Sequence, residues 1–284
     1  MVNITYSLLG ANGDSIEFNN TDYVLNPGMK GFGISATAVR IQDSAGDGGI
    51  FRHSKRNVRL VDLPITVLGL DRADVEAKLR RLARLTQDKA GPTQLVATYD
   101  NGDQLSLGVH YTGGAESQWG SNAGGDWCEW VLSFKAPQPF WTSTNSESFT
   151  INSGTSGRGL LPQLSKLKVS SSSSLGTIVV SSSADVDVYP IWTVTGPVTD
   201  FYVSNGSQSF TLEGTIPAGT TVYVDTENKT VTNSSGANLY SLLGPAPKLF
   251  AFSPGFTTVE VLGTSITTST LIRCDYSLRY EVVH

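Results

Sequence analysis

Only one stretch of this chain, Arg72 to about Lys89, carries helical spacing; glycine, proline and Asn-Gly turns cut the rest into short alternating runs. A two-residue period gives each strand one apolar face, so a chain built this way buries its apolar residues by packing sheets together. Ile4, Tyr6 and Leu8 alternate, turn at Gly10-Ala11-Asn12-Gly13, and resume with Ile16 and Phe18, which predicts a hairpin. Further strands are predicted at Tyr23–Leu25, Ile34–Ile41 and Arg56–Leu68, the last with a slip in its alternation at Asp62-Leu63 that marks a bulge or break.

The helical window has its own signals. Asp71 is placed to cap the N-terminus, with Asp74 three residues on; Val75, Leu79, Leu82 and Thr86 form one face, and Gly91-Pro92 ends the run. Lys78, Arg80, Arg81 and Arg84 complement the C-terminal end of the helix dipole. After it, strands are predicted at Gln94–Tyr99, Gln104–Tyr111 and Trp127–Phe134. A turn at Asp100-Asn101-Gly102-Asp103 joins the first two, and a long Gly-rich contact loop containing Trp119 precedes the third. The prolines and aromatics of Ala136-Pro137-Gln138-Pro139-Phe140-Trp141 close a first domain, residues 1–145.

A Ser/Thr/Asn/Gly-rich linker at about 142–159 leads into a second domain, 146–284. Its nine short predicted strands are Leu175–Val180, Asp187–Thr195, Phe201–Ser204, Ser209–Leu212, Thr220–Asp225, Thr230–Thr232, Phe250–Phe252, Thr257–Val261 and Leu271–Tyr280, which together read as a sandwich. The serine runs at Ser170–Ser174 and Ser181–Ser183 read as polar strand ends or loops.

Charge excludes one class of function. Residues 1–145 carry net −2 and residues 146–284 net −3, so neither half has the cationic excess of a sequence-specific nucleic-acid binder. The densest basic segment, Arg52-His53-Ser54-Lys55-Arg56 with Arg59, reads as a hairpin with charged edges, or as a contact for a partner's acidic groups. Cys128 and Cys274 have no CxxC spacing and read as free thiols of a chain folded in a reducing cytoplasm. No signal-peptide layout or membrane-length apolar run is present.

The chemistry search predicts no catalytic, cofactor-binding or metal-binding residue, and no cofactor. His53, His110 and His284 lie at no metal-ligand spacing, and nucleophile-elbow and phosphate-loop motifs are missing. Asp185/Asp187 and Asp225/Glu227 would each share one strand face, as a glycosidase or calcium site would need, but solvent-facing positions are the better reading. Asp43 and Asp47 do not follow the calcium-loop pattern and predict a turn. Trp119, Trp127, Trp130, Trp141 and Trp192 read as core or interface aromatics ahead of a sugar-stacking platform.

In the first domain, Ala45-Gly46-Asp47-Gly48-Gly49 is followed by the basic Arg52–Arg59 strand, Leu63-Pro64-Ile65-Thr66-Val67-Leu68-Gly69, the helix, and Leu132-Ser133-Phe134 through Trp141. In the second come Tyr189-Pro190-Ile191-Trp192-Thr193-Val194-Thr195-Gly196-Pro197, Val222-Tyr223-Val224-Asp225-Thr226 and Phe252-Ser253-Pro254-Gly255. In order and spacing these resemble the distal tail protein (Dit) family of long, non-contractile-tailed bacteriophages over nearly the whole chain. The chain departs from that pattern at Phe256-Thr257-Thr258, where family members often carry an Asn.

The resemblance implies a mainly β protein: an N-terminal tail-tube-like β-sandwich or split barrel with one flanking α-helix, then a C-terminal galectin-like β-sandwich. It implies a non-enzymatic virion protein at the tail tip, whose copies form a ring, expected to be a hexamer, with a central channel through which DNA passes without specific binding. Its partners would be further copies of itself, the tail tube protein, the tip hub, and receptor-binding or fibre proteins. The alternative is a carbohydrate-binding or adhesion module for host glycans, which an exposed aromatic centred on a sheet face and ringed by polar side chains would favour.

Overall fold

The computed structural model describes residues 4–87, 89, 91–116, 122–152 and 174–283. The chain is mainly β, with one α-helix among these residues, and divides into two compact units: Met1–Asn145 with Tyr280–His284, and Ser146–Arg279.

The first unit opens with β1 (Ile4–Leu9), β2 (Ser15–Glu17) and β3 (Tyr23–Leu25), then β4 (Thr37–Asp43), β5 (Gly49–Arg56) and β6 (Arg59–Leu68). Helix α1 (Arg72–Leu85) precedes β7 (Thr93–Tyr99), β8 (Gln104–Gly113), β9 (Trp127–Ala136) and β10 (Trp141–Asn152). One sheet runs β2-β1-β7-β8, and Thr142 and Ser143 of β10 pair with Ser106 and Leu105 on the far edge of β8. The other runs β3-β6-β9 and joins the C-terminal half of β8 through His110, Tyr111 and Gly113. Strand β8 therefore belongs to both sheets, with a register shift between Tyr111 and Gly113. Leu8, Ile16, Val61, Leu63, Ile65, Leu95, Leu107, Phe134 and Trp141 fill the space between the sheets.

The slip predicted in the sixth strand is not there. Strand β6 pairs with β9 in unbroken register from Arg59↔Ala136 to Leu68↔Trp127, and its inward residues are Arg59, Val61, Leu63, Ile65 and Val67. Val58 and Leu60, which a reading by hydropathy alone takes as core, are exposed. The apparent slip arose because an inward-facing Arg was scored as polar surface.

Helix α1 starts as predicted. The Asp71 carboxylate accepts from the Asp74 amide (2.9 Å), and Asp74 in return accepts from the Leu70 amide (2.9 Å), so one orphan donor of the helix and the amide just before its cap are both met. Val75, Leu82 and Leu85 are buried, and the helix lies against β6 and β9. It ends at Leu85, four residues short of Lys89, where Thr86 turns its hydroxyl back onto the Leu82 carbonyl.

In the second unit follow β11 (Ser174–Ser182), β12 (Ile191–Thr195), β13 (Val198–Ser204), β14 (Ser209–Ile216), β15 (Thr221–Asp225), β16 (Thr230–Asn233), β17 (Gly255–Thr264) and β18 (Leu271–Tyr280). One sheet is ordered β16-β15-β12-β18, with β10 beside β18, and the other β11-β17-β13-β14. Their inner faces supply one core built around Trp192, Phe201, Phe210, Phe250 and Phe252, whose rings meet at centroid distances of 6.3–6.5 Å. That is the spacing edge-on aromatic pairs favour.

Two strand expectations change here. Phe250–Phe252 is not a strand; Phe252 only exchanges amide–carbonyl bonds with Val188 (2.9 and 2.8 Å). Strand β12 begins at Ile191, so Asp187 lies outside it. Most of the predicted linker is strand: Thr142–Asn152 belongs to β10, while its remainder, the serine run at 170–173, Trp119 and His284 lie outside the described residues.

Candidate assembly surface

Strands β4 and β5 pair only with each other. The ribbon runs from Thr37↔Arg56 at the root to Asp43↔Gly49 near the tip, and every residue of β5 is exposed. A β-bulge between Arg40 and Ile41 makes Arg52 the extra residue on β5. Strand alternation on that register separates two faces. One carries Val39 opposite Ser54 and Ile41 opposite Phe51; the other carries Ala38 opposite Lys55 and Arg40 opposite His53. Arg52 joins the second face, where its guanidinium donates to Gln42 Oε1.

The ribbon is thus apolar on one side, while the other is basic toward the root and carries Ile50 opposite Gln42 near the tip. Ile41 and Phe51 are each 61% exposed, although an isolated two-stranded hairpin is at best marginally stable in water. Apolar side chains on such an element are the mark of a surface that another protein covers.

The ribbon's root is anchored by a buried arginine. Arg59 is 2% exposed and donates through Nε to the Pro139 carbonyl (2.6 Å), through Nη1 to Gly31 (2.7 Å) and Gly33 (2.5 Å), and through Nη2 to the Glu281 carbonyl (2.7 Å). Burial lowers its pKa, but a guanidinium keeps its charge, so these are charge-assisted bonds. Gly31 has φ of +93°, and a Cβ there would collide with the Leu60 carbonyl. The Glu281 carboxylate accepts from Arg56, the last residue of β5 (2.9 and 2.5 Å), and the Val283 amide donates to the Phe32 carbonyl (3.0 Å). Beside this clamp lies a groove of about 740 Å³ lined by Ile34, Val58, Leu60, Lys55 and Lys135 among others.

The second unit presents a different surface. On the outer face of its first sheet, Thr232, Tyr223, Thr193 and Arg273 form one row across β16, β15, β12 and β18. Tyr223 is 37% exposed, and Arg273 pairs with Asp275 (2.6 Å). This is an aromatic in a row of polar side chains on a sheet face, with exposed Ile191 diagonal to it.

The carboxylate pairs weighed from sequence do not share strand faces. Asp225 ends β15 and caps the following turn, accepting from the Glu227 and Asn228 amides (2.9 Å each), while Glu227 pairs with Arg279 (2.9 Å). Asp185 and Asp187 sit in the bend before β12. Asp43 and Asp47 fall at the ribbon tip, where a turn was expected. His53 is on the ribbon and His110 in β8. Cys128 and Cys274 are free, buried thiols whose pKa values burial raises. Among the described residues no group of three or more His, Cys, Asp or Glu could hold a metal, and no helix is long and apolar enough to cross a membrane. Trp141 and Trp192 are fully buried, one in each core, and Trp130 packs against the first. Arg59 was the functional residue that hydropathy missed; its signal was the in-phase spacing with Val61, Leu63 and Ile65.

Two sheet-built units and an unpartnered ribbon describe a structural building block, and the comparisons say of which kind. Residues 183–280 match the family model of the siphovirus-type tail component, C-terminal domain. Over those residues the chain resembles a siphovirus-type tail component. Its fold is that of the Dit protein of phage SPP1, described as a paradigm of the hub adsorption apparatus in phages infecting Gram-positive bacteria: TM-score 0.67 at 12% identity, covering 96% of this chain and 98% of that one. Chains of the phage P2 baseplate in its activated conformation, with Ca and with Sr, match at TM-score 0.56 and 9% identity, covering 99% of this chain and 100% of each. No curated protein sequence matches the chain. The match over residues 183–280 and the fold of the whole chain together support a siphophage distal tail protein.

Proposed function

We propose that copies of this chain form a closed ring, a hexamer, at the distal end of a phage tail, joining the tail tube to the tip hub and to receptor-binding or fibre proteins. The first unit, residues 1–145 with 280–284, is the ring-forming, tail-tube-like domain. The second, residues 146–279, is a galectin-like sandwich that carries attachments. The ring leaves an axial channel through which DNA passes without specific binding, in keeping with the net charge of −2 on residues 1–145. The chain acts by geometry alone, as virion structure without catalysis or cofactor.

The observation that carries this reading is the β4–β5 ribbon. Its exposed Val39, Ile41 and Phe51 need a covering surface, and a ribbon that reaches from one copy to the next is a heterologous contact, which closes into a ring when the rotation permits. Light scattering on the purified chain, with negative-stain images of the same peak, tests it. Rings with an open centre support the reading; a particle of closed two-fold symmetry refutes it.

One observation favours a second reading, a glycan-binding face on the second unit. Tyr223 sits in a polar row with Thr193, Thr232 and Arg273, an arrangement suited to stacking against a sugar ring. A glycan array probed with the wild type and Tyr223→Ala separates the two: retention that depends on Tyr223 supports a glycan face, and no retention removes it.

A further inference from the structure

The ribbon is polarised along its length as well as across it. Its tip, from Asp43 through Ser44-Ala45-Gly46-Asp47-Gly48, carries two carboxylates and no cation, and neither carboxylate is in an ion pair. The tip is narrow and closed on itself: Ser44 Oγ donates to the carbonyls of Gly46 (2.9 Å) and Gly48 (3.0 Å). Ile41 and Ile50 stand exposed just behind it.

At the other end of the ribbon lies the groove with the opposite character. Ile34, Val58 and Leu60 form its apolar wall and are all more than half exposed. Four cations line it, but two are already used. Arg56 is held by the Glu281 carboxylate and Arg59 by four carbonyls, so Lys55 and Lys135 are left as the cations facing solvent without an ion pair.

Tip and groove match in charge and in apolar content, yet they cannot meet within one molecule. The strands run seven and eight residues from root to tip, and at roughly 3.3 Å per residue this sets the tip about 20 Å from its own groove. We propose that the acidic tip of one copy's β4–β5 ribbon docks into the Lys55/Lys135 groove at the ribbon root of a second copy. The contact puts Asp43 and Asp47 against Lys55 and Lys135, and Ile41 and Ile50 against Ile34, Val58 and Leu60. The docked pair then keeps one free tip and one free groove, so the contact propagates from copy to copy until the ring closes. The apolar contacts supply most of the adhesion. The charges fix register and reject like-charged partners.

This inference rests on the ring reading and names its interface. The test is a charge swap on the full chain, read as the mass by light scattering and the concentration at which rings dissociate. The variants are Asp43→Lys/Asp47→Lys, Lys55→Glu/Lys135→Glu and all four together; every substituted position is exposed, and far-ultraviolet circular dichroism checks the fold. Each double variant is expected to raise the dissociation concentration by at least about tenfold. The quadruple variant, which restores opposite charges in trans, is expected to recover rings. Rings that form equally well in both double variants overturn this interface and leave the ring reading standing. Loss in both doubles without recovery in the quadruple also overturns the pairing. A wild-type chain that shows no self-association by sedimentation equilibrium overturns both.

Discussion

Replacing Arg59 with Met keeps the unbranched stem of the side chain and removes the guanidinium with its four hydrogen bonds. The Pro139, Gly31, Gly33 and Glu281 carbonyls then lose a charged partner, and the sites around a 2%-exposed residue offer little water in its place. A buried acceptor left unmet costs about 1–3 kcal/mol. Four acceptors in one small site relax together, so the terms do not add in full; a total of about 3–5 kcal/mol is expected, the range for breaking a buried charged network. For a unit of this size, each kcal/mol lowers the melting temperature by about 2–4 °C, so the first unit should melt roughly 6–20 °C lower. Trp141, stacked on Phe32 at 5.8 Å, makes tryptophan fluorescence a suitable probe, alongside calorimetry. Arg59→Lys keeps the charge but not the planar fork and should recover less than half of the loss. A shift below about 2 °C for Arg59→Met, or full recovery with Lys, would refute the argument that the fork's geometry holds the ribbon root and the Glu281 segment together.

Other consequences follow from the same interactions. Trp192→Ala empties the centre of the second core, where Phe149, Phe201 and Phe252 surround the indole, and should cost about 3–5 kcal/mol in denaturant unfolding. Asp14 bonds Arg81 (2.7 Å), and this bond is the main reason its carboxyl titrates below the ordinary value. A depressed carboxyl contributes stability above its unfolded pKa of about 3.9 and loses it as pH falls through the folded value. Arg81→Met should therefore leave less pH dependence in stability below about pH 4, with a change at neutral pH under about 1 kcal/mol because the pair is partly exposed. Burial raises both thiols, so a chromogenic disulfide should titrate neither Cys128 nor Cys274 in the folded chain and both in denaturant; a fast-reacting thiol at neutral pH would contradict their burial.

What could be read from residues alone was local. Asn12-Gly13, Asn101-Gly102 and Asn205-Gly206 each close a hairpin because Gly tolerates the positive φ that a tight turn demands, observed at +84°, +87° and +88°. Asp71 and the Val75/Leu82 spacing define the helix, since capping and a 3.6-residue period are properties of the chain within a few residues. The mainly β class follows in the same way, and the order of motifs was specific enough to show the distal tail protein resemblance.

What needed the tertiary structure was every feature that depends on distant segments meeting. Arg59 reads as surface charge until Gly31, Gly33, Pro139 and Glu281, from three separate parts of the chain, bring their carbonyls to it. Asp225 and Glu227 read as a strand-face pair until β15 stops between them and Arg279 takes Glu227. Val39, Ile41 and Phe51 alternate as in any core strand, and nothing near them in sequence tells that no second sheet covers them. Alternation fixes which side chains share a face; only the packing of remote strands decides whether that face is buried, and the β4–β5 ribbon is where the chain leaves it open.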